Sequence, residues 1–274
     1  MKALKEKLKN GYISILDYFN EAFKLFWHLI RKEKKWILLI FAILLITAII
    51  EKKLQTITLL NSKINLEYIF ISHFLTYPLY ATYWVLYRKI IFKLTDRNEN
   101  LNILKSYIKA FITAIIISIP ILIITICSFY IDFLKYSHSY ELISLISQIS
   151  LSVIIFSVVV ACIFIYFLQV HMSKDLPLKE TLNYTLEVSQ SNRWRYIVCF
   201  LIESAAVFFI KTIIKTVTAF FMILLDLNIE SIGIIIIKTF IENFVPALSA
   251  IYSISLISII FVNVDYQKQK ESIK

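Results

Sequence analysis

Six stretches of this chain are long, apolar and nearly free of charge, and they restrict the fold more than any other feature. They run from Trp36 to Ile50, Tyr68 to Tyr87, Ala110 to Ile131, Ile149 to Val170, Tyr196 to Ile210 and Phe244 to Val264. A soluble core could not bury them all: of 274 residues 59% are hydrophobic and only 18% charged, with a mean hydropathy of +0.74. At a helical rise of about 1.5 Å, runs of ~20 residues match a hydrocarbon layer of about 30 Å. The first and fifth runs are short, and Lys35, Lys52 and Lys211 can complete those crossings by snorkelling. The expected fold is an all-α integral membrane protein with six transmembrane helices. Residues 1–35 form an interfacial segment, 36–264 the six-span domain and 265–274 a cytoplasmic tail.

Charge then orients the bundle. With the N-terminus inside, 22 of the 29 basic residues fall in the inner segments and 7 in the outer ones, the asymmetry of a chain whose termini are both cytoplasmic. Net charge is +10, and nearly all of it belongs to the inner face. Anionic phospholipid is therefore the expected partner of the basic surface, and nucleic acid is not. The basic N-terminus runs into an amphipathic segment, with the first apolar run too far along for a secretory signal peptide. The expected location is the bacterial cytoplasmic membrane.

Between Tyr12 and Ile30 the polar residues Ser14, Asp17, Asn20, Glu21, Lys24 and His28 recur every three or four positions beside a broad aromatic and aliphatic face. This spacing predicts an amphipathic helix, lying either in the inner headgroup layer or along the bundle. "RKEKK" from Arg31 turns the chain into the first span. Similar lead-ins, "NENLNILKSYIKAF" and "PLKETLNYTLEVSQSNRWRY", precede the third and fifth spans. The implied plan is three units, each a cytoplasm-side amphipathic helix followed by two crossings.

This pattern resembles the six-helix membrane domain attached to bacterial glycerophosphoryl diester phosphodiesterases, and related inner-membrane proteins. There a segment like "ILDYFNEAFKLFWHLIRKEKKWILLIF" opens the chain, and the last span follows a proline and ends in a tyrosine, aspartate and basic signature. "FVPALSAIYSISLISIIFVNVDYQKQK" supplies Pro246, Asp265, Tyr266 and Lys268 here. Only ten residues follow Val264, and the usual terminal arginines are lysine or glutamine, so the resemblance implies a membrane domain and carries no hydrolytic activity with it.

The sequence offers little chemistry. His28, His73, His138 and His171 lack a metal-ligand partner at i+3 or i+4, and Cys127, Cys162 and Cys199 fall in three different spans. Two glycines, Gly11 and Gly233, exclude Gly-rich phosphate loops and GxxxG pairs, leaving close contact to serines such as Ser249 and Ser253. No cofactor and no metal are expected, and no constellation of nucleophile or paired carboxylates argues for an enzyme. Pro78 and Pro120 mark kinks inside the second and third spans. The intramembrane polar candidates are Glu203, His73 and Gln148. The interfacial anchors are Trp84, Arg88, Arg193, Trp194 and Arg195, where aromatic and basic residues together either anchor a helix end or hold a lipid phosphate.

Glu203 is the sharpest of these. It lies eight residues beyond Arg195, about 12 Å by helical rise and near mid-bilayer. An unpaired charge there costs around 3 kcal/mol, so a protonated acid hydrogen-bonded to a serine, tyrosine or carbonyl of a neighbouring helix is expected. A mechanistic role in proton movement or cation binding is the competing reading. The bridge from Thr212 to Asn243 is expected to extend the fifth span and lie in the outer interface, because a seventh crossing would bury Asp226 and Glu230. The expected function is a non-enzymatic multi-pass membrane protein that organises or handles lipid or supports a membrane protein partner. The alternative is a small-molecule or lipid transporter.

Overall fold

A computed structural model of the chain describes residues 2–60, 66–96, 102–136, 140–224 and 232–271. Side chains are described for these except 51–60, 66–70, 72, 73, 129, 132–136, 221–224, 232–240, 242 and 243. The described residues form ten helices and no strand: α1 (Lys2–Asn10), α2 (Ile15–Lys32), α3 (Lys34–Leu60), α4 (Leu66–Leu94), α5 (Ile103–Tyr136), α6 (Tyr140–Ile163), α7 (Phe167–Ser173), α8 (Leu178–Ser189), α9 (Arg193–Leu224) and α10 (Ile232–Glu271). Among the described residues four stretches are long and apolar enough to cross a membrane: Ile103–Ser128, Tyr140–Ile163, Arg193–Phe220 and Phe244–Glu271. Such helices, apolar on nearly every face, are the mark of a membrane-embedded chain, since only there is a fully apolar surface stable.

Consecutive long helices pack on one another, α3 on α4, α4 on α5, α5 on α6 and α9 on α10, with α4 on α5 the most extensive, and the start of α3, the end of α4 and the start of α5 lie at one end of the molecule. At that end the short helices α1, α2, α7 and α8 form a collar. The break between α2 and α3 falls at Glu33, whose buried carboxylate takes Lys89 at 2.6 Å and Lys93 from the end of α4. Burial pushes this carboxyl up, but the hydrogen bonds from Lys89 and Lys93 outweigh it and hold it below the ordinary carboxylate range. The start of α3 is thereby tied to the end of α4.

Helix α10 is the hub. Its 40 residues reach about 60 Å, roughly twice a hydrocarbon thickness, and it packs against every element except α5 and α6 among the main contacts. Toward its end, buried Asn263 accepts from the Ile13 backbone N–H (3.3 Å) and the Tyr18 hydroxyl (2.7 Å) and donates to the carbonyls of Leu8 and Gly11 (both 2.8 Å). One amide thus satisfies the backbone where α1 passes into α2, which has no helical partners of its own. One turn on, Gln267 donates to the Leu8 carbonyl at 3.0 Å. Buried Asp265 takes Lys174 at 2.8 Å, the Tyr184 hydroxyl and Gln269 at 2.8 Å, tying α8 and the α7–α8 turn to the same helix. Tyr266 donates to the Leu94 carbonyl at 3.3 Å. The tyrosine and aspartate noted in the sequence at the end of the last span therefore hold the collar together.

The amphipathic segment forms α2, started by Ser14, whose hydroxyl caps the Asp17 N–H at 3.1 Å. Its Tyr18, Ala22, Leu25, Phe26 and Leu29 are buried, largely against α10, while Leu16, Phe23 and Trp27 stay exposed on a second row. The apolar face is thus divided between the bundle and the exterior. Separate short helices lead into α3 and α9, whereas from Ile103 onward the lead-in to the third apolar run is continuous with α5 itself. The bridge after Thr212 is shared between the extension of α9 to Leu224 and the start of α10 at Ile232. Asp226 and Glu230 lie outside the described residues.

Candidate functional site

Around Pro78, which has no N–H to give its own helix, a cavity of about 500 Å3 lies along the α4/α5 junction, within the ~300–1,000 Å3 of ordinary ligand sites. The Pro78 carbonyl accepts from the Thr82 hydroxyl at 2.8 Å and from the Tyr107 hydroxyl of α5 at 3.2 Å, and Tyr77 bonds Ser118 across the gap at 2.7 Å. These bonds hold the two helices at a set separation. Tyr77, Tyr80 and Trp84 of α4, Thr113, Ile117 and Ser118 of α5 and Leu168 of α7 line the space. The walls are chiefly hydrocarbon and aromatic ring, with a few hydroxyls.

At the collar end of this groove sits a charged cluster. Arg88, only 7% exposed, makes a two-pronged ion pair with Asp175 in the α7–α8 turn, Nη1 at 3.1 Å and Nη2 at 2.6 Å. Lys109 of α5 reaches the same carboxylate at 3.4 Å and the Lys174 carbonyl at 3.5 Å. The bonded Arg88 guanidinium holds Asp175 far down the carboxylate range, at about 2. His171 stacks on Phe167 with centroids 5.5 Å apart. Burial, helped by the Lys109 charge, pushes its imidazole down to about 4, so it is neutral at pH 7. Two cations face one carboxylate, and Arg88 Nε and His171 Nδ1 are buried without a hydrogen-bond partner among the described residues.

Two anchors from the sequence, Trp84 and Arg88, meet here, one in the groove wall and one in the cluster. The others gather on the opposite flank, at the start of α9. There Arg195 lies between the rings of Tyr12 (4.3 Å) and Trp194 (4.6 Å) and donates to the Ile13 carbonyl at 3.3 Å. Trp194 is 48% exposed, and Arg193 is half-buried with its Nε unbonded. Glu203 is buried between α9 and α10 and meets the Ser253 hydroxyl, which also donates to the Ser249 carbonyl at 2.9 Å. Gln148 is exposed on α6. The side chains of His73 and His138 lie outside the described residues.

Sequence reasoning missed Asp175, Lys109 and the place of His171 in the cluster. Asp175 and Arg88 are 87 positions apart, and no local spacing announces such a pair. The usable signal was weaker: a basic residue closing each apolar run at the same end. Among the described residues no group of three His, Cys, Asp or Glu side chains could hold a metal ion. Cys199 is buried, Cys127 half-buried and Cys162 exposed, all as free thiols. Compared with family models, curated proteins and solved structures, the chain finds no match.

Proposed function

We propose that this chain is a non-enzymatic, multi-pass protein of the bacterial cytoplasmic membrane that organises or handles lipid. The observation that carries the reading is the groove between α4 and α5. It opens along the flank of the apolar Ile103–Ser128 stretch, is walled by hydrocarbon and aromatic rings, and ends at a charged cluster, which is the layout of an amphiphile rather than of a water-soluble substrate. The likeness to the membrane domain of glycerophosphoryl diester phosphodiesterases points the same way. Six crossings in three pairs, with both termini cytoplasmic, fit the one end shared by the start of α3, the end of α4 and the start of α5, and the contact of α1 with the end of α10. Termini on one side require an even number of crossings.

Two experiments test this. Native mass spectrometry of the chain extracted in mild detergent should show phospholipid retained at one or a few molecules per chain. Retention of none, or of a stoichiometric protein instead, removes the lipid reading. Reporter fusions at Asn98 and Ser189 should read inside and at Asn61 and His138 outside. Inversion at two of these sites overturns the topology.

A further inference from the structure

Three helices converge on the inner end of the α4/α5 groove, and each changes character there in the same way. On α4 the groove residue Trp84 is followed one turn later by Arg88. On α5, which runs the other way, Thr113 is preceded one turn earlier by Lys109, whose carbonyl Thr113 bonds at 2.7 Å. On α7 Leu168 is followed one turn later by His171. Since residues four or three apart share a helix face, all three basic groups stand at one level, about 6 Å beyond the apolar wall. A groove made of hydrocarbon thus ends in a ring of nitrogen donors, and the change occurs at a single depth.

The charge of that ring is incomplete. Among the described residues Arg88 and Lys109 share one carboxylate, Asp175, so the cluster there carries one surplus positive charge with His171 neutral. Its donors are incomplete as well. Arg88 Nε and His171 Nδ1 are buried and bond nothing among the described residues; Ser189 Oγ and the Nε atoms of Arg193 and Arg195 share that condition elsewhere, but only in this cluster do two such nitrogens stand beside an apolar groove. Buried nitrogens of this kind call for an acceptor, and the free charge calls for a single anion.

Resting on the lipid-handling reading above, we propose that this groove seats one acyl chain of a phospholipid bearing a single negative charge, with its phosphate on Arg88, Lys109 and His171. The apolar wall takes the chain, Tyr80 and Trp84 flank it, and the phosphodiester accepts the unused donors while neutralising the surplus charge. A zwitterionic lipid brings the same phosphate but adds a cation beside Arg88 and Lys109, so it should bind less well. Phosphate without a chain gains nothing from the groove.

The test uses the full chain in mild detergent, freed of co-purified lipid and offered phosphatidylglycerol or phosphatidylcholine, with bound lipid counted by native mass spectrometry and folding checked by thermal melting. One phosphatidylglycerol per chain is expected, held about tenfold more tightly than phosphatidylcholine, as expected for one charge-assisted contact. Lys109→Gln should abolish that preference by weakening phosphatidylglycerol alone. Thr113→Trp, which fills the groove, should weaken both lipids alike. If Lys109→Gln fails to fold, Thr113→Trp decides. Equal retention of the two lipids by the unmodified chain overturns the proposal, as does displacement of bound lipid by millimolar inorganic phosphate. If lipid is retained but neither variant changes it, this site is wrong and the lipid-handling reading stands. If the unmodified chain retains no lipid, both fall.

Discussion

The collar with the inner half of α10 and the outward helices α5, α6 and α9 satisfy their polar groups in opposite ways. In the collar, bonds span the sequence: Asn263 reaches Leu8, Gly11, Ile13 and Tyr18, and Asp265 reaches Lys174 and Tyr184. In the outward helices, away from the α4/α5 groove where Tyr107 and Ser118 reach α4, hydroxyls bond their own helix one turn back, Thr125 to Ile121, Ser128 to Ile124, Ser152 to Gln148, Ser157 to Val153 and Thr212 to Phe208. Burial differs as sharply, with half of Phe244–Glu271 buried and none of Tyr140–Ile163. The more apolar helix is the less buried one. Two solvents account for this. A helix facing hydrocarbon needs no cover but must satisfy each polar atom locally, whereas a region between water and lipid gains stability only by tertiary packing and bonding.

The largest effect that could break this comparison is expected at Asn263. Asn263→Leu strands the Tyr18 hydroxyl, the Ile13 N–H and the Gly11 carbonyl, while Gln267 still serves Leu8, and should cost about 3 kcal/mol or more in denaturant unfolding in detergent. A loss no larger than that of an outward serine would mean the collar is not held by long-range bonds.

Next is acid sensitivity, which should also belong to the collar. The folded state holds His171 at about 4 against 6.5 in the free side chain, so stability is full above pH 6.5 and falls as pH drops toward 4, by ~1–3 kcal/mol. The groups facing it, Lys109, Arg88 and Asp175, keep their charges over that range. His171→Phe should flatten the dependence of melting temperature on pH, leaving a residue from His28, which burial also holds low. An unchanged slope would place the sensitivity elsewhere.

Glu203 sharpens the comparison, being the point in the apolar α9 where a long-range bond replaces a local one. Glu203→Gln should retain folding and any cellular phenotype. Glu203→Leu should lower stability by about 0.6–1.7 kcal/mol, the range of interhelical bonds in membranes. Loss of a phenotype in Glu203→Gln with unchanged melting would assign the carboxylate to a mechanism. The smallest effect is expected for Ser152→Ala on α6, within about 0.5 kcal/mol, because its bond ends on its own helix. A larger cost would mean that a neighbour covers that face.

Much of this was legible beforehand. The apolar character of the long helices, the break at "RKEKK" and the amphipathic α2 follow from local composition and spacing; for Glu203 the sequence left serine, tyrosine or a carbonyl open, and the fold supplies Ser253. The collar was not, because Asn263 reads as one more polar residue in an apolar helix, and its partners lie some 250 positions away. Arg88 has the look of an interfacial anchor beside Trp84 and Tyr87, and is found buried against Asp175. An arginine at a helix end is equally suited to headgroups or to a carboxylate, and only the folded chain supplies the carboxylate.

The sequence alone determined that the chain is helical and that several helices are apolar enough to cross a membrane, but not that the run from Ile149 to Val170 breaks after Ile163, where α6 ends and α7 begins at Phe167. Those properties depend on hydrogen bonds and hydrophobicity within one segment, and a hydrocarbon solvent reads each segment separately. Tertiary structure alone decided that α10 is the hub, that the ends of the chain meet on it, and that Arg88, Lys109, His171 and Asp175 close one end of the α4/α5 groove. These depend on which helices are neighbours, and in a bundle of similar apolar helices that choice rests on a few polar contacts between residues far apart in the chain.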